Sequence, residues 1–440
     1  MTEATADEIL EPMGRPSGKW LAVVGVSGLG LLWFLYAWIV QLRSGLIVTG
    51  LGDWGSGGGI SWGLYIGTFV WWIGIAHGGI AISAAVRVFK AEQFEPIARI
   101  AEVLTVVALM MAATNIVFDL GRPDRLFNTL INWPQTVTHS PLAWDIAVVT
   151  LYLVLSVTYL VLTLRPDLHA VRDRVPRYLR PFHRVLTLGY TPDEDEKAEQ
   201  MAWWLAVTVL ALVPLLSGGV VPWLFGLIGT QPGWYGAMTG PSMLAESLTT
   251  AIAMVIIVAA AFRYAYDWDF IDEDVFIGLV KVLAFLALAT LWMLLHDTLS
   301  GVYLAPTAVE ALTFALIEMP LFQIALGGLV VSTLYLIAVI LRPQLLHVGV
   351  LTVVSVVVSF SIFSKKLIFV VEGLLHPTSP PLTNLYLEGS YSPTWIEWTL
   401  VLGSIVLAVF MFAIATKLIP MVEIDSEQPT NTTTPTEGNQ

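Results

Sequence analysis

The sequence predicts an all-α polytopic membrane protein of about ten transmembrane helices, and three observations carry that prediction. Hydrophobic residues make up 56% of the 440 residues before the 35 glycines are added, whereas soluble chains reach roughly 45–50% with glycine included. Charged residues are only 12%, and mean hydropathy is +0.75. Apolar runs of about 20 residues recur along the chain, each long enough to cross roughly 30 Å of hydrocarbon.

Ten such runs can be drawn: 20–42, 61–87, 97–118, 142–164, 200–229, 243–266, 275–296, 312–341, 345–371 and 395–419. The first follows an acidic segment without a basic n-region and is expected to remain uncleaved. The fifth is broken by Pro214, Gly218, Gly219 and Pro222, so it must kink or bury an irregular middle against its neighbours. The eighth and ninth are divided by the Arg342–Pro343 turn. Spans two to five and six to nine each start on the same side, as parallel repeats would. Two four-helix bundles are therefore expected, with spans one and ten flanking them. Asp119 and Asp297 close spans three and seven, after Glu102 and Lys281 within those spans.

Lysine and arginine set the orientation. Fifteen of the 21 fall on the side of the termini and three, Arg43, Arg122 and Arg125, on the other; Lys281, Lys365 and Lys366 lie within spans. The positive-inside rule places both termini in the cytoplasm of a multi-pass cell-membrane protein. The chain then divides into an N-terminal segment 1–19, spans one to four over 20–164, a cytoplasmic loop 165–199, spans five to ten over 200–419, and a tail 420–440. The tail is rich in Thr, Pro and Asn and reads as disordered.

Composition also excludes functions. No cysteine is present, so the chain holds no disulfide and no cysteine-ligated iron–sulfur or zinc site. A net charge of −13 argues against nucleic acid as a partner, and the surrounding solvent of the spans is membrane lipid.

Ionisable groups inside a membrane are costly and mark functional sites. The candidates are His77, Glu102, Asp145, Glu246, Lys281, His296, Asp297, Glu318, Lys365 and Lys366. Asp145, Glu246 and Lys281 lie near span ends, where an interfacial or snorkelling side chain is the plainer reading. His77, about ten residues from Arg87, is ~15 Å deep. The richest stretch is Phe118-Asp119-Leu120-Gly121-Arg122-Pro123-Asp124-Arg125. Gly121 and Pro123 stop the third span. Asp119 sits at the negative end of that helix dipole and needs a cation, for which Arg122 or Arg125 is close enough in sequence.

The stretch from Trp72 to Ala84, with Ala76-His77-Gly78-Gly79 at its centre, is followed by Arg99-Ile100-Ala101-Glu102 and the Asp119-Leu120-Gly121-Arg122-Pro123 turn. Together these resemble the NrfD/PsrC family, the membrane subunits of polysulfide-reductase-like molybdoenzymes and of the related alternative complex III. Tyr391-Ser392-Pro393-Thr394-Trp395-Ile396-Glu397 is similar to that family's Tyr-x-Pro-Ser-x-x-Glu entry to its last helix. Pro232-Gly233-Trp234-Tyr235 is similar to the Pro-Gly-Trp-His of the complex III branch. One departure is clear: where that branch carries a histidine and an aspartate in its fifth span, this chain reads from Ser217 to Phe225 with neither.

The resemblance implies a quinone-reactive subunit. A quinone, menaquinone in the first place, is the expected cofactor, with no haem and no iron–sulfur cluster of the chain's own. Expected partners are an iron–sulfur, ferredoxin-like subunit and a molybdenum catalytic subunit on the extracytoplasmic side. The quinone site is assigned to Asp119, Gly121, Arg122 and His77, and a proton pathway to His77, Glu102, Lys281, His296 and Asp297, with His77 first a member of the pathway. Two other classes compete: a cytochrome b-type haem anchor, which needs paired histidines such as His77 and His296, and a secondary transporter, suggested by broken helices and repeats.

Overall fold

A computed structural model describes residues 6–14, 16–52, 60–172, 175–192, 195–228, 231, 233–303, 307–375 and 390–424. Among the described residues ten helices are long and apolar enough to cross a membrane, and there is no strand. They are α1 (Gly18–Ser44), α2 (Leu64–Arg87), α3 (Glu95–Asp119), α4 (Pro141–Val171), α5 (Asp195–Leu215), α6 (Thr239–Tyr266), α7 (Glu273–Val302), α8 (Pro320–Leu341), α9 (Val348–Leu375) and α10 (Trp395–Leu418). The all-α, multi-pass reading stands.

Boundaries shift where the backbone chemistry demands it. The eighth run divides at Met319-Pro320, so a short helix Thr307–Glu318 precedes α8 and leaves Glu318 exposed outside a span. Proline at the start of α8 costs no hydrogen bond there, because that N–H has no intrahelical partner anyway. The fourth run continues helically through Pro166 to Val171, and residues 180–186 form another helix, so much of the expected loop 165–199 is ordered. The fifth run passes through a π-helical turn at Leu216–Val220 into Val221–Gly226. Wide turns of this kind accommodate Gly218 and Gly219 without ending the span. Of the tail, residues 420–424 are described and Met421 and Val422 are buried; 425–440 lie outside the described residues.

Packing closes α2, α3, α4 and α5 into one ring and α6, α7, α8 and α9 into another. Helix α2 also packs on α6 and α9, which joins the rings, and α1 lies against α10 on the flank. The two expected bundles are therefore present. Helix α2 is enclosed on nearly every side, whereas α1 and α4 turn most of their surface outward. Small residues make that enclosure possible. A Cβ at Gly79 would run into the Ala101 carbonyl and the Thr105 hydroxyl, and one at Gly78 would meet the Ala251 carbonyl. Backbone approach through glycine is how membrane helices gain contact without a hydrophobic driving force.

The ends are fixed by polar caps. Ser17 caps α1 and Asp272 caps α7 through their side chains, and Thr394 with Glu397 forms a capping box on α10. Lys417 donates to the carbonyls of Pro12 and Gly14. That bond puts the N-terminal segment and the end of α10 on one side, called here the terminal face.

Candidate functional site

Helix α3 ends at Asp119, and a cavity of about 280 Å³ opens beside that end. Trp38, Gln41, Leu46, Leu120, Gly121 and Arg122 line it. Gln41 is buried: its Nε2 donates to the Phe118 carbonyl at 2.7 Å, and its Oε1 accepts from the Tyr65 hydroxyl at 2.6 Å. Asp119 and Glu397 both act electrostatically on that hydroxyl. The Oδ1 of Asp119 is buried without a hydrogen-bond partner. Of the two arginines offered as partners for Asp119, Arg122 and Arg125, the first does something else. Arg122 is exposed and grips Asp124 through two bonds of 3.0 and 2.9 Å. Arg122 therefore holds the Asp124 carboxyl below the usual carboxylate range. Arg122 precedes a 3-10 turn, Pro123–Arg125, and the two-residue separation there suits a fork-to-fork pair better than a reach back into the helix end.

A second cavity, about 660 Å³, lies among α1, α2, α6, α9 and α10 and is almost wholly apolar. Lys19 and Tyr266 are the ionisable residues of its lining, which holds no carboxylate and no imidazole.

His77 sits midway along α2, fully buried, and does not line the cavity beside Asp119. Its Nδ1 lies 3.3 Å from the Tyr152 hydroxyl and its Nε2 2.5 Å from Ser217 Oγ. Tyr152 is on α4, and Ser217 is on the π turn. Ser217 therefore stands in the very stretch where the histidine and aspartate of the complex III branch are missing, and it binds the imidazole.

Toward the terminal face lies a denser network. Glu102 accepts from Ser83 Oγ at 2.7 Å and from Thr163 Oγ1 at 3.2 Å, and Arg99 Nε stands 3.4 Å from its second oxygen. Arg99 Nη2 donates to Asp167 at 3.0 Å and to the Thr163 carbonyl at 2.9 Å, and lies 3.4 Å from Glu423. Arg87 binds Glu423 at 2.5 Å and the Tyr159 hydroxyl at 2.6 Å; that hydroxyl also contacts Ser83. The guanidinium of Arg99 is 0% exposed. So His77 and Glu102 lie in one bundle, but no direct bond joins them.

The other expected pathway residues are not brought to this network. Lys281 and His296 are exposed on α7, and His296 meets Ser300 at 3.4 Å. Asp297 is also exposed, within the electrostatic reach of Lys365. The repeat between spans three and seven is thus one of topology and not of chemistry, since Glu102 faces inward and Lys281 outward. Nor can His77 and His296 share a haem, being in different bundles with only one of them buried.

Glu246 had the plainer reading of an interfacial group, and the structure overturns it. Glu246 is 3% exposed and Lys366 1%. Lys365 and Lys366 both bind Glu246, the latter at 2.5 Å, and Lys366 acts electrostatically on His77. Adjacent lysines in an apolar run were the signal for this cluster. The Tyr391 motif proves to be an anchor. Glu397 accepts from Gly50 N, Thr394 N and the Tyr391 hydroxyl, while Leu64 N donates to that same hydroxyl. In the Pro-Gly-Trp-Tyr block, Pro232 lies outside the described residues, and Trp234 is buried with its Nε1 bonded to the Phe369 carbonyl.

Ten packed spans, a charged network buried within one bundle and a small polar-edged cavity at a helix end define a multi-pass membrane protein. The chain belongs to the polysulphide reductase NrfD family, whose model matches residues 54–378. It is 26% identical over 425 residues to the C subunit of selenate reductase from Mesobacillus selenatarsenatis, covering 93% of this chain and 94% of that one. It is 30% identical over 251 residues to the putative C membrane subunit of a dimethyl sulfoxide reductase from Halobacterium salinarum, covering 57% and 53%. It is 21% identical over 423 residues to an Hdr-like menaquinol oxidoreductase integral membrane subunit of Archaeoglobus fulgidus, covering 91% and 92%. Family and relatives together make this chain a membrane subunit of a redox complex.

Proposed function

We propose that the chain is the quinone-reactive membrane subunit of an oxidoreductase complex, exchanging electrons between a quinone pool and an iron–sulfur partner. The observation that carries this reading is the cavity at the end of α3, which Gln41, Leu120, Gly121 and Arg122 line; Asp119 does not line it, but Asp119, whose Oδ1 is buried and unpartnered, is the residue next in the chain to Leu120. The cavity's volume is near the lower end of the roughly 300–1,000 Å³ of small-molecule sites, which suits a ring head group whose tail stays outside. Support for menaquinone comes from the name of the Archaeoglobus relative, a menaquinol oxidoreductase subunit.

A quinone supplies two-electron, two-proton chemistry when bound. Asp119 takes or gives a proton at its Oδ1, and Gly121 leaves the wall open for the ring. Gln41, held by Phe118 and Tyr65, fixes the inner edge of the cavity. Arg122 at the rim stabilises negative charge developing on an oxygen there. His77 and Glu102 carry protons deeper into the first bundle. Electrons need a partner, since the chain has no cysteine. The exposed Arg122–Asp124–Arg125 turn beside the cavity fits a docking edge for an iron–sulfur subunit, with a molybdenum subunit beyond it. By the positive-inside rule that face is extracytoplasmic and the terminal face cytoplasmic.

The test is Asp119→Asn in the purified complex. Quinol oxidation is expected to fall by about 10²-fold or more, the scale of a lost proton-transfer group, while the partner subunits still co-purify. Turnover at the wild-type rate would overturn the site. Loss of the folded subunit would make Asp119 a clamp for the end of α3.

A further inference from the structure

Helix α10 packs closely on α1, α2 and α3 and not on α6 or α9, so a seam runs between the flanking pair and the second bundle. The apolar cavity of about 660 Å³ occupies that seam. Its α10 edge (Leu402, Ile405, Val409) and its α9 edge (Val356, Phe360) are exposed, whereas Trp71, Trp72 and Leu104 at its floor are buried. The cavity is therefore a groove that opens sideways onto the surrounding hydrocarbon. Ala261 and Ala265 on α6 and Ala408 and Ala413 on α10 keep it open, since none fills the space a larger side chain would take.

The groove belongs chiefly to one leaflet. Its α6 wall runs from Met254 to Tyr266, a rise of about 18 Å, a little more than half of the roughly 30 Å hydrocarbon core. The polar atoms of its depth are already paired: Trp71 Nε1 with Ser359, Ser359 with Thr250, and Trp72 Nε1 with Ser404. The terminal face is different. There Ser17, Lys19 and Trp20 of α1 join Tyr266 and Thr416 in the lining. Lys19 Nζ donates to the Tyr264 carbonyl at 3.3 Å and stands 3.9 Å from Asp267, with the two side chains 58% and 90% exposed. An ion pair that open to water is worth little, so the ammonium is available to a stronger anionic partner.

We infer that this groove is a binding site for a single phospholipid of the terminal-face leaflet, with a hydrocarbon chain between α6 and α10 and its phosphate at Lys19. The lining is apolar for one leaflet's depth and gains a cation at one end, the profile of an amphiphile standing upright in the bilayer. Lys19 complements the phosphodiester anion, and Trp20 and Tyr266 flank it as residue types that sit at head-group level. Water is a poor occupant, because a buried water needs polar partners that the depth of the groove does not spare. The bound chain fills the seam that helix packing leaves and ties α1 and α10 to the second bundle. The site is separate from the quinone cavity, which lies at the opposite end of α1.

The test is native mass spectrometry of the full chain purified in mild detergent, with retained phospholipid as the readout. The wild type should keep a single phospholipid. Ala261→Phe with Ala265→Phe, both at exposed positions, should fill the groove and lower the occupied fraction about tenfold or more, as should Lys19→Glu by repelling the phosphate. Val154→Phe, on the exposed side of α4, is the control and should change nothing. A second arm reconstitutes the wild-type chain in vesicles of phosphatidylglycerol that carries a diazirine in one chain. Cross-links should concentrate on the groove residues of α6 and α10 over the lipid-facing side of α4, and this map decides the matter even where the double variant does not fold. Equal retention in the wild type and a folded double variant, or cross-links spread evenly over the helices, would mean ordinary annular lipid and overturn the site. A retained quinone in place of the phospholipid, or a dimer of the chain that the double substitution dissociates, would overturn the occupant.

Discussion

Replacing Arg99 with methionine removes the fully buried guanidinium around which Glu102, Asp167 and Glu423 are gathered. The three contacts measure 3.4, 3.0 and 3.4 Å. At an effective dielectric of about 20, each is worth roughly 5 kcal/mol of gross attraction. Most of that is offset by the cost of taking the ions out of water, so the sum is not the expected effect. What methionine leaves behind is the larger matter: three carboxylates with Arg87 as the remaining cation. Breaking a buried pair by deleting one partner costs about 3–5 kcal/mol, which lowers the folded-to-unfolded ratio roughly 10²- to 10⁴-fold. The assay is equilibrium unfolding of the detergent-solubilised chain in mixed micelles, followed by tryptophan fluorescence. Adding Asp167→Asn to Arg99→Met should restore part of the loss, because the second change removes one of the stranded charges and neighbours in one network are not additive. A loss below about 1 kcal/mol, or no coupling between the two substitutions, would refute the claim that the cluster is a desolvated, mutually balanced site.

Glu397→Gln should destabilise the chain by about 1–3 kcal/mol, since the carboxylate accepts from Gly50 N, Thr394 N and Tyr391 and an amide cannot accept at every position; thermal unfolding reads it. Burial and the neighbouring Glu397 raise the Tyr391 hydroxyl above its ordinary range, so it stays a donor through the working pH. Because Asp124 is depressed by Arg122, its pair is fully present above the ordinary carboxylate range and weakens as pH falls through the depressed value. Arg122→Gln should move the Asp124 titration upward, read by nuclear magnetic resonance of the labelled carboxyl. For topology, a cysteine at exposed Ser390 should label from outside and one at exposed Ala170 only from inside; reversed labelling would move the partner to the cytoplasm. The companion position Ser56 lies outside the described residues.

Composition and run length settled the all-α class and the number of spans, because hydrocarbon demands about 20 apolar residues per crossing whatever the neighbours are. The Asp-Leu-Gly-Arg-Pro turn, His77 and Glu102 were also legible, since each departs from an apolar background. Direction around a helix was less accessible. Glu102 and Lys281 look alike in sequence, each a charge within an apolar run, yet one faces a bundle and the other faces outward; only packing against α2 and α4 separates them. The same holds for Glu246, whose two lysines come from a helix more than a hundred residues further along the chain. Asp119 and Arg122 are near neighbours in sequence, but the turn aims the guanidinium at Asp124. The polar residues by which α4 meets its bundle, Tyr152, Tyr159, Thr163 and Asp167, were there to be read at helical spacing. Tyrosine, serine and threonine are common enough in spans, however, that their meaning came only when His77, Ser83, Arg99 and Glu423 closed on them from three other segments. Sequence fixes what each residue can do, whereas long-range packing in a low-dielectric interior decides which of those abilities are brought together.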